Sequence, residues 1–210
     1  MRCFIALPLP EAALDDIDVI RDLLSSQIGG CRWTRRDNLH LTLSFLGEID
    51  EPGLAASRAA LAAFEADLPG LPSFRPGRLA WFPGPRRPRV LVLTAAEERL
   101  LDEIHRRVAV ALALEAAKAQ ISPLDSEWPD ADNPGSLPHR PWKAHISLAR
   151  SVGSRPRRLD QPAVKIAEEG LSAGSAWFPD RVALYESRLE QGRTRYAILE
   201  ERPLLPRAPS

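Results

Sequence analysis

Leu39-His-Leu-Thr-Leu-Ser-Phe-Leu46 and Ala144-His-Ile-Ser-Leu-Ala-Arg150 carry the same short pattern, a histidine followed two residues later by a hydroxyl. In an extended strand residues i and i+2 share a face. His40 therefore stands beside Thr42 and His145 beside Ser147, while Leu41 and Ile146 turn to the other side. One His-x-Thr is a frequent accident. Two of them, each on a strand and each at the same station in its half of the chain, read as one site with two histidines.

The flanking sequence places those strands in a repeated order. Arg2 to Leu7 reads as a buried strand, and Pro10 opens a helix marked by Leu14, Ile17, Ile20, Leu23 and Leu24, with Gly29-Gly30 as its stop. The first His-strand ends at Gly47. Pro52, Leu54, Ala55, Arg58, Leu61, Ala62 and Phe64 predict a second helix, and residues 74–82 a strand. The order then recurs with a strand over 89–94, a long helix through Leu100, Leu101, Ile104, Val108, Ala111 and Leu112, and the second His-strand. A short helix over 162–169 and strands over 181–189 and 195–199 follow. The expectation is one domain made of two pseudo-repeat halves, about 1–85 and 86–210, whose His-strands face each other across a cleft. Residues 118–141, rich in proline and acidic residues, form a loop by composition. Its place suits either a tolerated surface insertion or a rim of the cleft.

Composition narrows the class. With 210 residues and 44% hydrophobic residues the chain buries a real core. The 28 basic and 28 acidic residues cancel, which removes any whole-molecule attraction to nucleic acid. Three lysines leave the basic charge almost wholly to arginine. The clusters at Arg86, Arg87 and Arg89, and at Arg155, Arg157 and Arg158, read as solvated surface, whereas Arg150 closes the second motif. Cys3 and Cys31 make no C-x-x-C spacing and point to a reducing compartment. The start is apolar for only a few residues before Glu11, Asp15 and Asp16, so neither a secretion signal nor a membrane span is expected, and the location expected is cytoplasmic.

The other two histidines offer no such pairing. His105 falls on the long helix as a surface or boundary side chain, and His139 lies in the insert with no hydroxyl two residues on. Neither is assigned to the site. The motifs lack the third ligand of a zinc site, the G-x-S-x-G elbow of a serine hydrolase and the Gly-Lys-Ser/Thr of a P-loop. What two imidazoles and two hydroxyls suit is in-line hydrolysis of a phosphodiester without metal or other cofactor. With an ordinary pKa of about 6.5, one ring can accept a proton from water while the other donates to the leaving oxygen. Thr42 and Ser147 would hold non-bridging oxygens, and a nearby arginine would offset the growing charge.

These segments, with Arg2-Cys-Phe-Ile-Ala-Leu-Pro-Leu-Pro10, Arg32-Trp33-Thr34, Asn38, Gly47, Phe82-Pro83, Pro88-Arg-Val-Leu91 and Val182-Ala-Leu-Tyr-Glu-Ser187, resemble the 2H phosphoesterase superfamily. In particular they resemble its bacterial and archaeal RNA 2′,3′-cyclic phosphodiesterases, once called 2′-5′ RNA ligases. The resemblance implies a bilobal α+β fold in which two antiparallel sheets flank a central cleft, with helices outside. It implies metal-independent opening of an RNA 2′,3′-cyclic phosphate to a 2′-phosphate, by a site that needs no cofactor; the chain itself is expected to be a monomer. His40 matches the general acid at O3′ and His145 the base that activates water. Thr42 and Ser147 match the phosphate-binding hydroxyls, and Phe45 and Arg150 match positions that sandwich the terminal base, Arg150 also reaching phosphate. Ser147 stands where threonine is commoner, and Ala144 where proline often precedes the histidine. The same pair suits 2′-5′ oligonucleotides or ADP-ribose cyclic phosphate, and a nucleotide- or RNA-binding module without turnover is the non-enzymatic alternative.

Overall fold

A computed structural model describes residues 1–64, 67–68, 70, 72–84, 88–97, 99–121, 142–152, 161–172, 174 and 176–206. The elements run β1 (Arg2–Pro8), α1 (Glu11–Ser25), β2 (Cys31–Trp33), a 3-10 turn (Arg36–Asn38), β3 (His40–Glu48), α2 (Glu51–Ala63), β4 (Asp67–Leu68) and β5 (Pro76–Phe82). They continue with β6 (Val90–Ala95), α3 (Arg99–Lys118), β7 (His145–Ser151), α4 (Gln161–Ser172), β8 (Arg181–Glu190), β9 (Arg193–Pro203) and β10 (Leu205–Pro206). Most of the insert expected over 118–141, together with His139, Arg86, Arg87, Arg155, Arg157 and Arg158, lies outside the described residues.

The α+β class implied by the sequence is the class that forms. Seven strands follow the order β5-β6-β7-β3-β1-β8-β9 in one antiparallel sheet, and β2 pairs with β7 beside β3. The short β4 and β10 form a separate parallel pair. The two sheets expected on either side of a cleft are two four-stranded groups, β5-β6-β7-β2 and β3-β1-β8-β9, made continuous by one residue pair, Leu41 opposite Ile146. These groups do not follow the halves of the sequence. β5 pairs with its chain neighbour β6, as consecutive antiparallel strands joined by short connections most readily do, while β8 returns to pair with the distant β1.

One face of this sheet carries the helices. Cys3, Ile5 and Leu7 of β1, Leu41 and Leu43 of β3, Leu91 and Leu93 of β6, Ile146 and Leu148 of β7, and Val182 and Leu184 of β8 all enter a single buried core. Each helix contributes one apolar stripe to it, such as Ile17, Ile20 and Leu24 of α1 and Leu101, Ile104, Val108 and Leu112 of α3. The Asp50 carboxylate caps α2 by accepting the Gly53 N–H at 3.0 Å, with Pro52 in the first turn. α1 stops at Ser25, ahead of the Gly29-Gly30 stop expected from sequence; Gly30, at φ +72°, instead turns the chain into β2. No helix among the described residues is long and apolar enough to cross a membrane.

The opposite face carries a second, smaller cluster: Phe4, Ala6, Ala183 and Tyr185, with Tyr196 packed against it. The link between the two strand groups is apolar and sealed, since Leu41 and Ile146 are both 0% exposed. Leu41→Ala is expected to lower unfolding stability by about 2–5 kcal/mol, the range for truncating a fully buried leucine. Urea denaturation followed by circular dichroism checks this; a loss under about 1 kcal/mol would show that the link is not tightly packed.

Candidate active site

The pairing of Leu41 with Ile146 dictates what appears on the uncovered face. Both side chains point into the core, so their neighbours His40, Thr42, His145 and Ser147 emerge together on the other side. Residues equidistant from an antiparallel pair face one another, which sets His40 toward Ser147 and Thr42 toward His145. The two imidazoles then occupy a diagonal, for which Cα separations of about 7–8 Å are usual. Their electrostatics agree with this closeness: after burial, the larger effect, His145 and Arg150 both press His40 toward its neutral form.

Phe45 and Arg150 reach the same face through matching irregularities. Strict alternation from Thr42 or Ser147 would bring up Ser44 and Ala149 instead. On β3, however, Thr42 pairs with Ala6 and Ser44 with Ile5, leaving Leu43 as an extra residue. On β7, Ser147 pairs with Val92 and Ala149 with Leu91, leaving Leu148 extra. Each bulge reverses the facing of the residues after it. Leu43 and Ser44, like Leu148 and Ala149, are buried in succession, and Phe45 and Arg150 then emerge exposed. Phe45 is 45% exposed, leaving a ring face open to a stacking partner.

Both histidines are held in the same tautomer by the chain just before them. His40 Nδ1 donates to the Asn38 carbonyl at 2.8 Å, and His145 Nδ1 donates to the Lys143 carbonyl at 2.7 Å. When neutral, each ring therefore keeps an unprotonated Nε2, and that of His40 accepts from the Thr42 hydroxyl at 3.0 Å. Aromatic groups wall the pair. Phe4, Tyr196 and Tyr185 lie 4.8, 5.2 and 6.0 Å from the His40 ring, and Phe82 lies 4.9 Å from that of His145. Burial pushes the His40 pKa down to about 4 against the opposing Asn38 carbonyl, and burial likewise lowers that of His145.

Several residues with no role assigned from sequence support this arrangement. Buried Asn38 donates its side-chain amide to the Thr194 carbonyl at 2.8 Å, tying the segment before His40 to β9. Arg36, in the same turn, clamps onto Glu11, Asp15 and Asp18 of α1. A surface depression of about 560 Å³ beside this clamp, lined by Leu14, Arg21, Arg35 and Asp37 among others, lies over those ion pairs and not over the histidines. His105 departs from the surface or boundary position expected for it. It is buried, donates Nδ1–H to the Leu43 carbonyl at 2.8 Å, and stacks on Trp142 with ring centroids 4.6 Å apart. Trp142 in turn donates its indole N–H to the Thr42 carbonyl at 3.3 Å. At the equivalent bulge of β7 the Leu148 carbonyl is satisfied by a backbone donor, the Thr34 N–H at 2.8 Å. Helical spacing sets His105 on the buried stripe with Leu101 and Val108, but no local pattern points to the partners of His105 or Trp142, which are main-chain groups of a distant strand.

A family model described as LigT like phosphoesterase matches residues 7–92, a span that contains the first motif. The chain is 27% identical over 205 residues to the RNA 2′,3′-cyclic phosphodiesterase of Methanothermobacter thermautotrophicus, covering 95% of this chain and 97% of that protein. The crystal structure of TT0787 of Thermus thermophilus superposes with a TM-score of 0.66 at 27% identity, covering 97% of this chain and 98% of that one. E. coli LigT complexed with 3′-AMP shares the fold at a TM-score of 0.59 and 24% identity, covering 97% and 96% of the two chains.

The depressed His40 pKa makes stability depend on acidity. The unfolded chain takes up a proton near the ordinary imidazole pKa of 6.5, whereas the folded chain resists until about 4, so stability is lost as pH falls through that window. Between neutral pH and about pH 5 the loss attributable to His40 is about 2 kcal/mol. Urea titrations of the wild type and His40→Asn at both pH values are expected to show a smaller acid loss in the variant. Equal losses would mean that His40 is not held neutral.

Proposed function

We propose that the chain is a LigT-like phosphoesterase of the 2H superfamily and that it hydrolyses the terminal 2′,3′-cyclic phosphate of RNA to a 2′-phosphate, using its paired histidines and no metal ion, a reading supported by the family match over residues 7–92 and by the similarity to RNA 2′,3′-cyclic phosphodiesterases. The observation that carries this reading is the shared face of His40, Thr42, His145 and Ser147, fixed by Leu41 opposite Ile146. In the in-line opening of a cyclic phosphate, the attacking water and the leaving O3′ lie on opposite sides of phosphorus, with the two non-bridging oxygens between them. Two hydroxyls and two Nε2 atoms on one small surface complement this arrangement.

In the proposed reaction His145 Nε2 takes a proton from water as the water oxygen bonds to phosphorus. The P–O3′ bond breaks, and protonated His40 gives its Nε2 proton to O3′, leaving a 3′-hydroxyl and a 2′-phosphomonoester. Thr42 and Ser147 donate to the non-bridging oxygens, and Arg150 offsets their charge. The exposed ring of Phe45 stacks on the terminal base, a contact open to any base. His40 lies in the field of His145 and Arg150, so its acid role requires the substrate's negative charge to offset those cations and bring a proton with it. The free thiols, Cys3 buried and Cys31 half-buried, suit the cytoplasm as the compartment.

Incubation of an oligonucleotide ending in 2′,3′-cyclic phosphate with the protein and EDTA is expected to yield a 2′-phosphate end, read by phosphorus NMR. His40→Ala and His145→Ala are each expected to lower kcat by about 10² to 10⁴. Activity abolished by EDTA, or a variant near the wild-type rate, would refute the mechanism.

The pH profile gives an independent check. With both rings depressed in the free protein, the alkaline limb of kcat/KM is expected below about pH 6.5, because that parameter reports the free enzyme. The limb of kcat, which reports the substrate complex, is expected at higher pH, since a bound anion favours the charged imidazole. Coincident limbs would contradict proton uptake with the substrate.

A further inference from the structure

The uncovered face carries a second pair of like charges. Arg32 of β2 lies directly opposite Arg150 of β7. Cys31 and Trp33 pack against the core, so Arg32 projects to the other side, the face that bears Arg150, and both arginines are exposed. Like charges at directly opposed positions repel unless something lies between them.

β8 and β9 show how this sheet handles such a pair. Arg188 lies directly opposite Arg195, but Arg188 is bonded to Glu186 and Arg195 to Glu190. The Arg36 clamp likewise carries its own carboxylates. Arg32 and Arg150 have no carboxylate partner among the described residues, and they stand at the next site-face position beyond Ser147. The cationic surface thus runs outward from the two motifs, through Arg150, to Arg32.

We infer that Arg32 and Arg150 form a second anion subsite, in which Arg32 binds the internucleotide phosphate next to the reacting terminus. The substrate class is accordingly an oligonucleotide and not a mononucleoside cyclic phosphate, an assignment that rests on the phosphodiesterase reading above. Arg150 serves the terminal nucleotide and Arg32 the preceding linkage. Arginine suits the role because its fork pairs with two phosphate oxygens. Successive phosphates of one strand supply the two negative charges that the opposed guanidiniums lack.

The test compares a tetranucleotide ending in 2′,3′-cyclic phosphate with a mononucleoside 2′,3′-cyclic phosphate, in the wild type, Arg32→Gln and Arg32→Lys. The preference for the tetranucleotide in kcat/KM is expected to fall about tenfold in Arg32→Gln, the scale of one charge-assisted hydrogen bond, and less in Arg32→Lys. The dependence of log KM on log salt should flatten by about 0.7, one phosphate contact on a single strand. A tetranucleotide with a neutral methylphosphonate at its last internucleotide linkage, next to the cyclic phosphate, should lose the same factor with the wild type and nothing further with Arg32→Gln. An unchanged preference, or an equal loss on both substrates, would overturn the subsite. Should the wild type hydrolyse neither substrate, the phosphodiesterase reading fails on its own. Fluorescence anisotropy with a 2′-phosphate-ended tetranucleotide then decides the subsite, which equal Kd values for the wild type and Arg32→Gln would overturn.

Discussion

Everything on the uncovered face depends on Leu41 meeting Ile146. Without that pair the two four-stranded groups have no residues in register with each other, and His40 and His145 belong to separate surfaces. The contact is apolar and fully buried, so its geometry is set by core packing, which tolerates little displacement. Two side chains that are to act on one group need that rigidity. The polar groups inherit their positions from the leucine and isoleucine between them.

The two bulges do the remaining placement. A regular strand would bury every second residue and could not offer Phe45 and Arg150 on the same side as the hydroxyls three residues earlier. Leu43 and Leu148 supply the extra residue, and each bulge leaves a carbonyl that must find a donor. On β7 the Thr34 N–H is available because β2 lies alongside. On β3 the imidazole of His105, backed by Trp142, fills the place. The same chemical need is met by main chain on one side and by side chain on the other.

Electrostatically the face suits an anion. Burial depresses both imidazoles, Arg150 adds to the cost of charging His40, and Arg32 and Arg150 oppose each other without a carboxylate among the described residues. Arg181, Arg188 and Arg195, also on this sheet, are each matched by a glutamate. Each of these features raises the energy of the surface by itself, and the proposed chain of phosphates would relieve them together.

The sequence alone determined the strands that carry His40 and His145, the hydroxyl beside each and the helices between them, because these rest on local periodicity and spacing; the α+β class came from the family resemblance of its motifs. His105 is the clearest case of the opposite kind. Its helical neighbours read as an ordinary boundary position, yet its partner is a carbonyl on β3, and no local pattern records a hydrogen bond to distant main chain. The bulges at Leu43 and Leu148 were equally hidden, since they show only as breaks in the register with β1 and β6. The opposition of Arg32 to Arg150 was hidden too, because β2 is three residues long and the pairing spans more than a hundred residues of chain. Tertiary structure decided these points because register and cross-strand neighbours are properties of two strands at once, and a single stretch of sequence specifies only one of them.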